Sequence, residues 1–336
     1  MPTDPNQLKL AKELSRKEIL LCIARVPNSN RVFVGCSDGK IFDVDVLAEK
    51  PEFQELAGHT SYVTGLALAG KTLVSGSYDG HLIWWDSETR QQIRNVEAHA
   101  KWIRRVTATV DGRLVASIAD DMVCRVWDAE SGQIRFELRG HDVKTPHHFP
   151  SMLYACAFSA DGTRLATGDK VGRVVVWDTS SGQQVATLAV PEMYTWDPKQ
   201  RIHSIGGLRS LAFSPDGKLL AAGGMGQVGN IDHLEGKSRV EIFDWQKGER
   251  THEIPGDQFK GLVERLTFHT DGSWLLAAGG DNGGFLQFID PATGKFIKQE
   301  KAPSHIHDFV LNETCDAIYA AAHGRVLMWT MTAATS

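Results

Sequence analysis

GHTSYVTGLALAGKTLVSGSYDGHLIWWD, residues 58–86, is the stretch on which the fold turns. Two short apolar runs, Val63-Thr64-Gly65-Leu66-Ala67-Leu68 and Thr72-Leu73-Val74-Ser75-Gly76, precede the turn Tyr78-Asp79-Gly80 and a third run, Leu82-Ile83-Trp84-Trp85. Short β-branched and aromatic runs divided by turn residues read as strands. Asp-Gly supplies the positive φ that a tight hairpin requires. The order is therefore strand, turn, strand, turn, strand. So small a sheet cannot bury both faces alone, so it needs neighbours of its own kind and the pattern should repeat.

It does repeat. Runs aligned on Val63 begin at Ile19, Val63, Ile103, Leu153, Leu208, Val263 and Ile306, seven copies spaced 40 to 55 residues apart. Their third runs close on Val44-Asp45, Trp85-Asp86, Trp127-Asp128, Trp177-Asp178, Phe243-Asp244, Ile289-Asp290 and Trp329-Thr330. Gly58-His59, Ala98-His99 and Gly140-His141 stand ahead of copies two to four. This phased recurrence resembles the WD-repeat β-propeller family over nearly the whole chain. The resemblance implies an all-β fold, a seven-bladed β-propeller of four-stranded antiparallel blades around a central channel, with residues 1–336 as one domain. Turns such as Ser214-Pro215-Asp216-Gly217 resemble those of bacterial members.

The two ends of the chain bear on closure of the ring. After Trp329 only Thr330 to Ser336 remain, too polar and short for a good fourth strand, and an unpaired edge invites mispairing. The resemblance implies closure by an N-terminal strand, with residues 7–14 as the outer strand of the last blade. A short amphipathic helix is the other reading of that segment.

Bulk properties narrow the function. A formal net charge of −5 gives no basic field to draw nucleic acid or anionic lipid, so neither is an expected partner. Cys22, Cys36, Cys124, Cys156 and Cys315 sit singly in strand-like runs without metal-ligand spacing, as in a reducing compartment. No apolar leader or membrane-length run is present in the sequence. A cytoplasmic protein, monomeric on its own, is expected.

The resemblance further implies a buried hydrogen-bonded set in each well-formed repeat: His59, Ser75, Asp79 and Trp85 in the second, His99, Ser117, Asp121 and Trp127 in the third. A buried imidazole, hydroxyl and indole N–H each need a partner. Ser, His and Asp are also the acyl-transfer constellation. Recurrence in successive repeats argues for scaffold, and no catalytic residue is assigned. The fourth repeat keeps His141, Thr167 and Trp177 but has Val171 at the Asp position, which leaves its set incomplete. The fifth and sixth carry Phe243 and Ile289 for Trp and Ala222 and Ala278 for the hydroxyl, so apolar packing is expected to hold them.

Three insertions depart from the repeat, near residues 142–152, 190–207 and 225–237. By strand order, connections into first strands and those between second and third strands open on one face. The insertions should therefore crowd one sector of it, and long loops on a rigid scaffold are usual binding elements. Partner contacts expected on this face are Tyr62, Trp102, Met152, Leu262 and His305 before first strands, Trp196 in an insertion, and Arg104 and Arg209, with Arg105, for an anionic group. The expected function is a non-catalytic scaffold holding a protein or peptide. The alternative is a propeller enzyme or metal-dependent hydrolase using His147, His148, His203, His233 and Asp232. No fixed ligand spacing supports it, so no metal ligand and no cofactor is assigned. The glycines 223–226 and 279–284 fall at hairpin turns, without the following helix of a phosphate loop.

Overall fold

The computed structural model describes residues 3–199, 202–229 and 235–332. Every strand pairing in it is antiparallel. The sheet nearest the sequence reading comprises Val63–Ala69, Thr72–Ser77, His81–Asp86 and Gln92–Glu97 in that order. Sheets of the same design start at Ile103, Leu153, Ser210 and Leu262, and each is referred to below by that first residue.

Burial explains why the strands read differently in sequence. Third strands such as His81–Asp86 and Arg173–Asp178 are buried along their whole middle, because sheets pack on both faces. Their apolar runs are therefore continuous. The outermost strand Gln92–Glu97 covers only one neighbour, and its polar and apolar positions alternate. Between the Val63 and Ile103 sheets, Leu82 and Trp84 pack with Ile103, Val106, Val115 and Trp127 in one cluster. Trp84 meets Trp127 edge-on at 6.0 Å and donates its indole N–H to the Ala129 carbonyl at 3.0 Å.

The expectation of seven separate four-stranded blades is corrected. The propeller has six blade sheets, five of four strands and one of six strands, besides a two-stranded hairpin, among the described residues. The six-stranded sheet runs Ile306–Leu311, Ala317–Thr330, Lys9–Arg25, Arg31–Cys36, Lys40–Asp45 and Gln54–Ala57. The physical reason lies in strand length. Lys9–Arg25 is 17 residues long, and it pairs with Ala317–Thr330 from Lys9↔Thr330 to Ser15↔Arg325 and again, past a bulge, at Ile19↔His323. Through its second half it pairs with Arg31–Cys36, from Leu20↔Cys36 to Arg25↔Val32. One continuous strand thus joins the first and last repeats in a single hydrogen-bonded sheet. Pro5–Gln7 is a turn of 3-10 helix rather than strand.

The strands nearest the axis pack in succession: Lys9–Arg25 on Val63–Ala69, then Ile103–Ala108, Leu153–Phe158, Ser210–Phe213, Leu262–Phe268 and Ile306–Leu311, which returns to Lys9–Arg25. Charged groups occupy the enclosed channel. Arg105 Nη2 lies 2.8 Å and Arg265 Nε 3.4 Å from Asp308 Oδ1. The second Asp308 oxygen accepts the Ile23 N–H at 3.3 Å. Burial, with Arg105 adjacent, pushes the Arg265 guanidinium down to about 10.

Candidate partner-binding face and channel mouth

The local scaffold of the face is the polar set of each sheet. In the Val63 sheet, His59 Nδ1 donates to Asp79 Oδ2 at 3.0 Å, Nε2 lies 2.8 Å from Ser75 Oγ, and Trp85 Nε1 donates to Ser75 Oγ at 2.9 Å. A carboxylate on Nδ1 fixes the tautomer, leaving Nε2 to accept the hydroxyl proton. Burial alone would raise the Asp79 carboxyl. The His59 bond and the N–H groups of Thr60 and His81 outweigh it and hold the group at about 2. The Ile103 sheet repeats this with His99 Nδ1 to Asp121 at 3.1 Å, Nε2 to Ser117 at 2.7 Å and Trp127 Nε1 to Ser117 at 2.9 Å. There, burial pushes the His99 imidazole below its usual range, and the Arg125 charge adds to the push.

The fourth repeat departs from the reading of its sequence. Its set is complete: Asp169, two positions before Val171, accepts from His141 Nδ1 at 2.9 Å, while Thr167 lies 2.8 Å from Nε2 and accepts the Trp177 indole N–H at 2.8 Å. A carboxylate displaced along the strand reaches the same imidazole. The apolar packing expected of the fifth and sixth repeats is present, with Ala222 and Phe243 in one cluster and Ile289 in another, and buried polar groups accompany it. Glu241, wholly buried, is held by Arg239 at 2.7 Å and Arg250 at 2.9 Å. Gln287 accepts from Ser238 at 3.2 Å and donates to Gln299 at 2.9 Å. Ser75, Ser117 and Thr167 have no exposed surface, so these hydroxyls cannot meet a substrate.

The turns these sets brace carry the exposed aromatics. Tyr78 stacks between Tyr62, at 5.6 Å, and Trp102, at 4.6 Å and 5° from parallel. Tyr62 is 48% and Trp102 50% exposed, so the stack forms an aromatic shelf open to solvent. Gly80 lets the turn close under it: its φ is 84°, and a Cβ there would meet the His99 carbonyl oxygen at 2.4 Å. A pocket of about 350 Å³ lies against the shelf, lined by Tyr78, Gly80, Lys101, Trp102 and Asp120 among others.

From the shelf a ladder of planar groups leads inward. The Arg104 guanidinium lies 5.3 Å from the Trp102 ring and 5.6 Å from the Tyr154 ring, and Arg209 covers Tyr154 at 4.1 Å. Arg104 is clamped by both oxygens of Asp120 at 2.7 Å and donates to Tyr78 Oη at 2.6 Å. The ladder ends at a cavity of about 260 Å³ in the channel mouth, lined by Thr64, Arg104, Arg105, Tyr154, Arg209, Glu264 and His307 among others. His305 Nε2 lies 3.4 Å from Glu264, and His305 stacks on His307 at 4.3 Å. Burial, with His305 beside it, pushes the His307 imidazole down to about 4.

The insertions meet, as far as they are described. His147 stacks on Trp196 at 4.6 Å and bonds to Tyr194 Oη at 3.0 Å, and Phe149 packs on Trp196 at 5.1 Å and edge-on to His203 at 5.5 Å. Tyr194–Asp197 and His203–Gly206 form a hairpin, and Val228 N–H donates to Thr195 Oγ1 at 3.1 Å. His233 and Asp232 lie outside the described residues. Among the described residues no three His, Cys, Asp or Glu side chains are grouped to hold a metal ion.

Of the partner contacts expected from sequence, Tyr62 and Trp102 are exposed, and Arg104 and Arg209 line the channel mouth. Trp196 and His305 are half-buried in stacked contacts. Met152 is half-buried too, its sulfur 3.1 Å from Tyr154 Oη and 3.8 Å from Arg104 Nη2. Leu262 is corrected: it is 3% exposed, packed with Met225 and Val228 under the insertion, and offers no surface. Sequence reasoning missed Tyr78, Tyr154, Glu264 and His307. Thr64, Arg104, Tyr154 and His307 each follow the first residue of an inner strand, and that shared position would have found them; Glu264 is the third residue of Leu262–Phe268.

Comparison with known proteins adds independent findings. The family model described as WD domain, G-beta repeat matches residues 51–86, 90–128, 132–178 and 198–228. The chain is 26% identical over 77% of its length to telomerase protein component 1 of Mus musculus, of which the match spans 8%. It is 28% identical over 58% of its length to nuclear distribution protein PAC1 of Arthroderma benhamiae, with 45% of that protein covered. It is 29% identical over 55% of its length to WD repeat-containing protein VIP3 of Arabidopsis thaliana, with 52% covered. The chain thus spans less than a tenth of the first relative and about half of the other two. These relatives are eukaryotic and lend no support to the bacterial resemblance of the turns.

Proposed function

Because the chain carries WD40 repeats, we propose that it is a non-catalytic scaffold that holds a protein or peptide partner on the face bearing the aromatic shelf and the insertions. The observation that carries the reading is the shelf itself. Tyr62 and Trp102, each about half exposed, are stacked on Tyr78 beside a 350 Å³ pocket, and rigid aromatics at a cleft are the usual anchors of an interface. The scaffold reading is also supported by the three buried His, Ser or Thr, Asp and Trp sets, whose repetition and burial suit framework rather than chemistry. Two histidines of the hydrolase alternative have packing roles, since His147 stacks on Trp196 and His203 meets Phe149, while His148 is exposed. Five buried free cysteines suit a reducing cytoplasm, and a net charge of −5 suits a partner other than nucleic acid. Among the described residues no helix is long and apolar enough to cross a membrane. We assign the isolated chain a monomeric state.

The test is affinity capture from native extract with wild type and a Tyr62→Ala/Trp102→Ala variant whose melting curve matches. A partner retained by wild type and lost from the variant supports the reading. Equal retention by both moves the surface elsewhere.

A further inference from the structure

The cavity at the channel mouth differs from the shelf in charge. Three guanidinium groups reach it, and their counter-ions are unequal. Arg104 is matched by Asp120 through two bonds of 2.7 Å, and Arg105 is matched by Asp308 at 2.8 Å. Arg209 has no carboxylate within ion-pair distance among the described residues. Its Nη1 donates to the carbonyls of Gly206 at 2.7 Å and Leu208 at 2.8 Å, and its plane rests on Tyr154 at 4.1 Å. Two backbone bonds and one stacking contact fix the group while leaving its Nε and Nη2 hydrogens for a further acceptor.

A second orphan faces the same space. His307 lines the cavity, and its buried Nε2 has no hydrogen-bond partner. A buried imidazole nitrogen without a partner carries a desolvation cost that a ligand atom could relieve. Glu264 also lines the cavity, held by His305 at 3.4 Å. Its negative charge limits what may enter. One unmatched cation beside one fixed carboxylate favours a single negative charge over a phosphate dianion, and Arg104, Arg105 and Arg209 together oppose a lysine or arginine side chain.

We propose that the channel mouth is the anion subsite of the partner surface, taking the side-chain carboxylate of a glutamate or aspartate from the bound peptide, with Arg209 as its principal ligand and His307 Nε2 as a second contact. This rests on the scaffold reading above and specifies the chemistry of its partner. The ladder from Trp102 through Arg104 and Tyr154 to Arg209 connects shelf and cavity, so an apolar residue of the same peptide lies on Tyr62 and Trp102 while the acid enters the channel. The planar fork of Arg209 suits a carboxylate in two-bond geometry.

The test uses four bead-bound libraries of blocked hexapeptides with a fixed third residue, glutamate, glutamine, phosphoserine or lysine, and randomised apolar or aromatic flanks. Labelled wild-type protein should be retained by the glutamate library about tenfold more strongly than by the glutamine library, the effect of one charge-assisted hydrogen-bonded contact. Arg209→Gln should abolish that preference, and Arg209→Glu should reverse it toward a lysine library. Equal retention of glutamate and glutamine by wild type overturns the proposal, and so does preference for phosphoserine. The wild-type comparison needs no variant, so it stands even if Arg209→Gln fails to fold. The two readings fail separately. A partner captured through Tyr62 and Trp102 with no glutamate preference sinks the anion subsite alone, whereas loss of every interaction at the shelf sinks the scaffold.

Discussion

The Val63, Ile103 and Leu153 sheets and the Ser210 and Leu262 sheets solve one packing problem by different means. In the first group an imidazole, a hydroxyl, a carboxylate and an indole N–H satisfy one another beneath the turns. In the second, the hydroxyl positions are Ala222 and Ala278, the indole positions are Phe243 and Ile289, and buried polarity moves into the strands as Glu241 with Arg239 and Arg250, and Gln287 with Ser238. The first arrangement ties the loop leading into a sheet to the turn beyond its second strand, so it stiffens the face. The second ties strand to strand, and leaves the face to the insertions. The shelf rises over the first group, and two of the three insertions, near 190–207 and 225–237, lead into or interrupt the Ser210 sheet, where that tie is missing.

Several substitutions would break or sharpen this contrast. Trp85→Ala should have the largest effect, about 3–5 kcal/mol by denaturant unfolding, since it opens a cavity and removes the indole donor to Ser75 Oγ, which keeps only its His59 partner among the set. Phe243→Ala in the Ser210 sheet opens a cavity alone, and an equal loss there would show that the polar set adds nothing. Glu241→Ala should cost about 3 kcal/mol, because it leaves the buried Arg239 with Glu253 as its remaining carboxylate. A smaller loss than in a surface control would refute a polar anchor in that sheet.

Asp169→Ala should cost about 1–3 kcal/mol and Val171→Ala less than about 0.5. The reverse order would restore the sequence-based assignment of Val171 to the carboxylate position. The smallest effect is in pH. The folded His99 imidazole lies below its unfolded value of about 6.5, so its contribution is full above that pH and declines as pH falls below it. Asp79 and Asp121, held at about 2, contribute fully above about 3.9 and lose that contribution as pH falls toward 2. Hydrogen exchange at pH 7.5 and 5.5 should show protection falling first in the Ile103 sheet. Protection falling first in the Ser210 sheet would contradict the assignment.

How much of this was legible depended on how local its cause was. The strands, the Asp-Gly turns and the sets of His59 and His99 follow from residues a few positions apart, and the phased Trp-Asp and Gly-His pairs marked them. Asp169 escaped because an imidazole responds to where a carboxylate is in space, and two backbone positions can deliver one to the same place. Leu262 was misjudged because residues 225–229, distant in the repeat, fold over it. The count of sheets was misjudged because a repeat pattern marks where units begin, whereas hydrogen bonding decides where a sheet ends, and Lys9–Arg25 continues across that boundary. Of the candidate site, the exposed aromatics and arginines were readable as residue types. Whether each arginine had a counter-ion was not, because Asp120 comes from the turn after Leu114–Ala119 and Asp308 from another strand.

The long strand Lys9–Arg25 also imposes a schedule on synthesis. Lys9 pairs with Thr330, which is made 321 residues later, and at roughly 5–20 residues per second the ribosome needs on the order of 15–60 seconds to supply it. For that interval the segment Lys9–Ser15 has no partner, and its backbone groups are open to any other nascent chain. Its Lys9, Lys12 and Glu13 charges discourage such pairing while the ring waits to close.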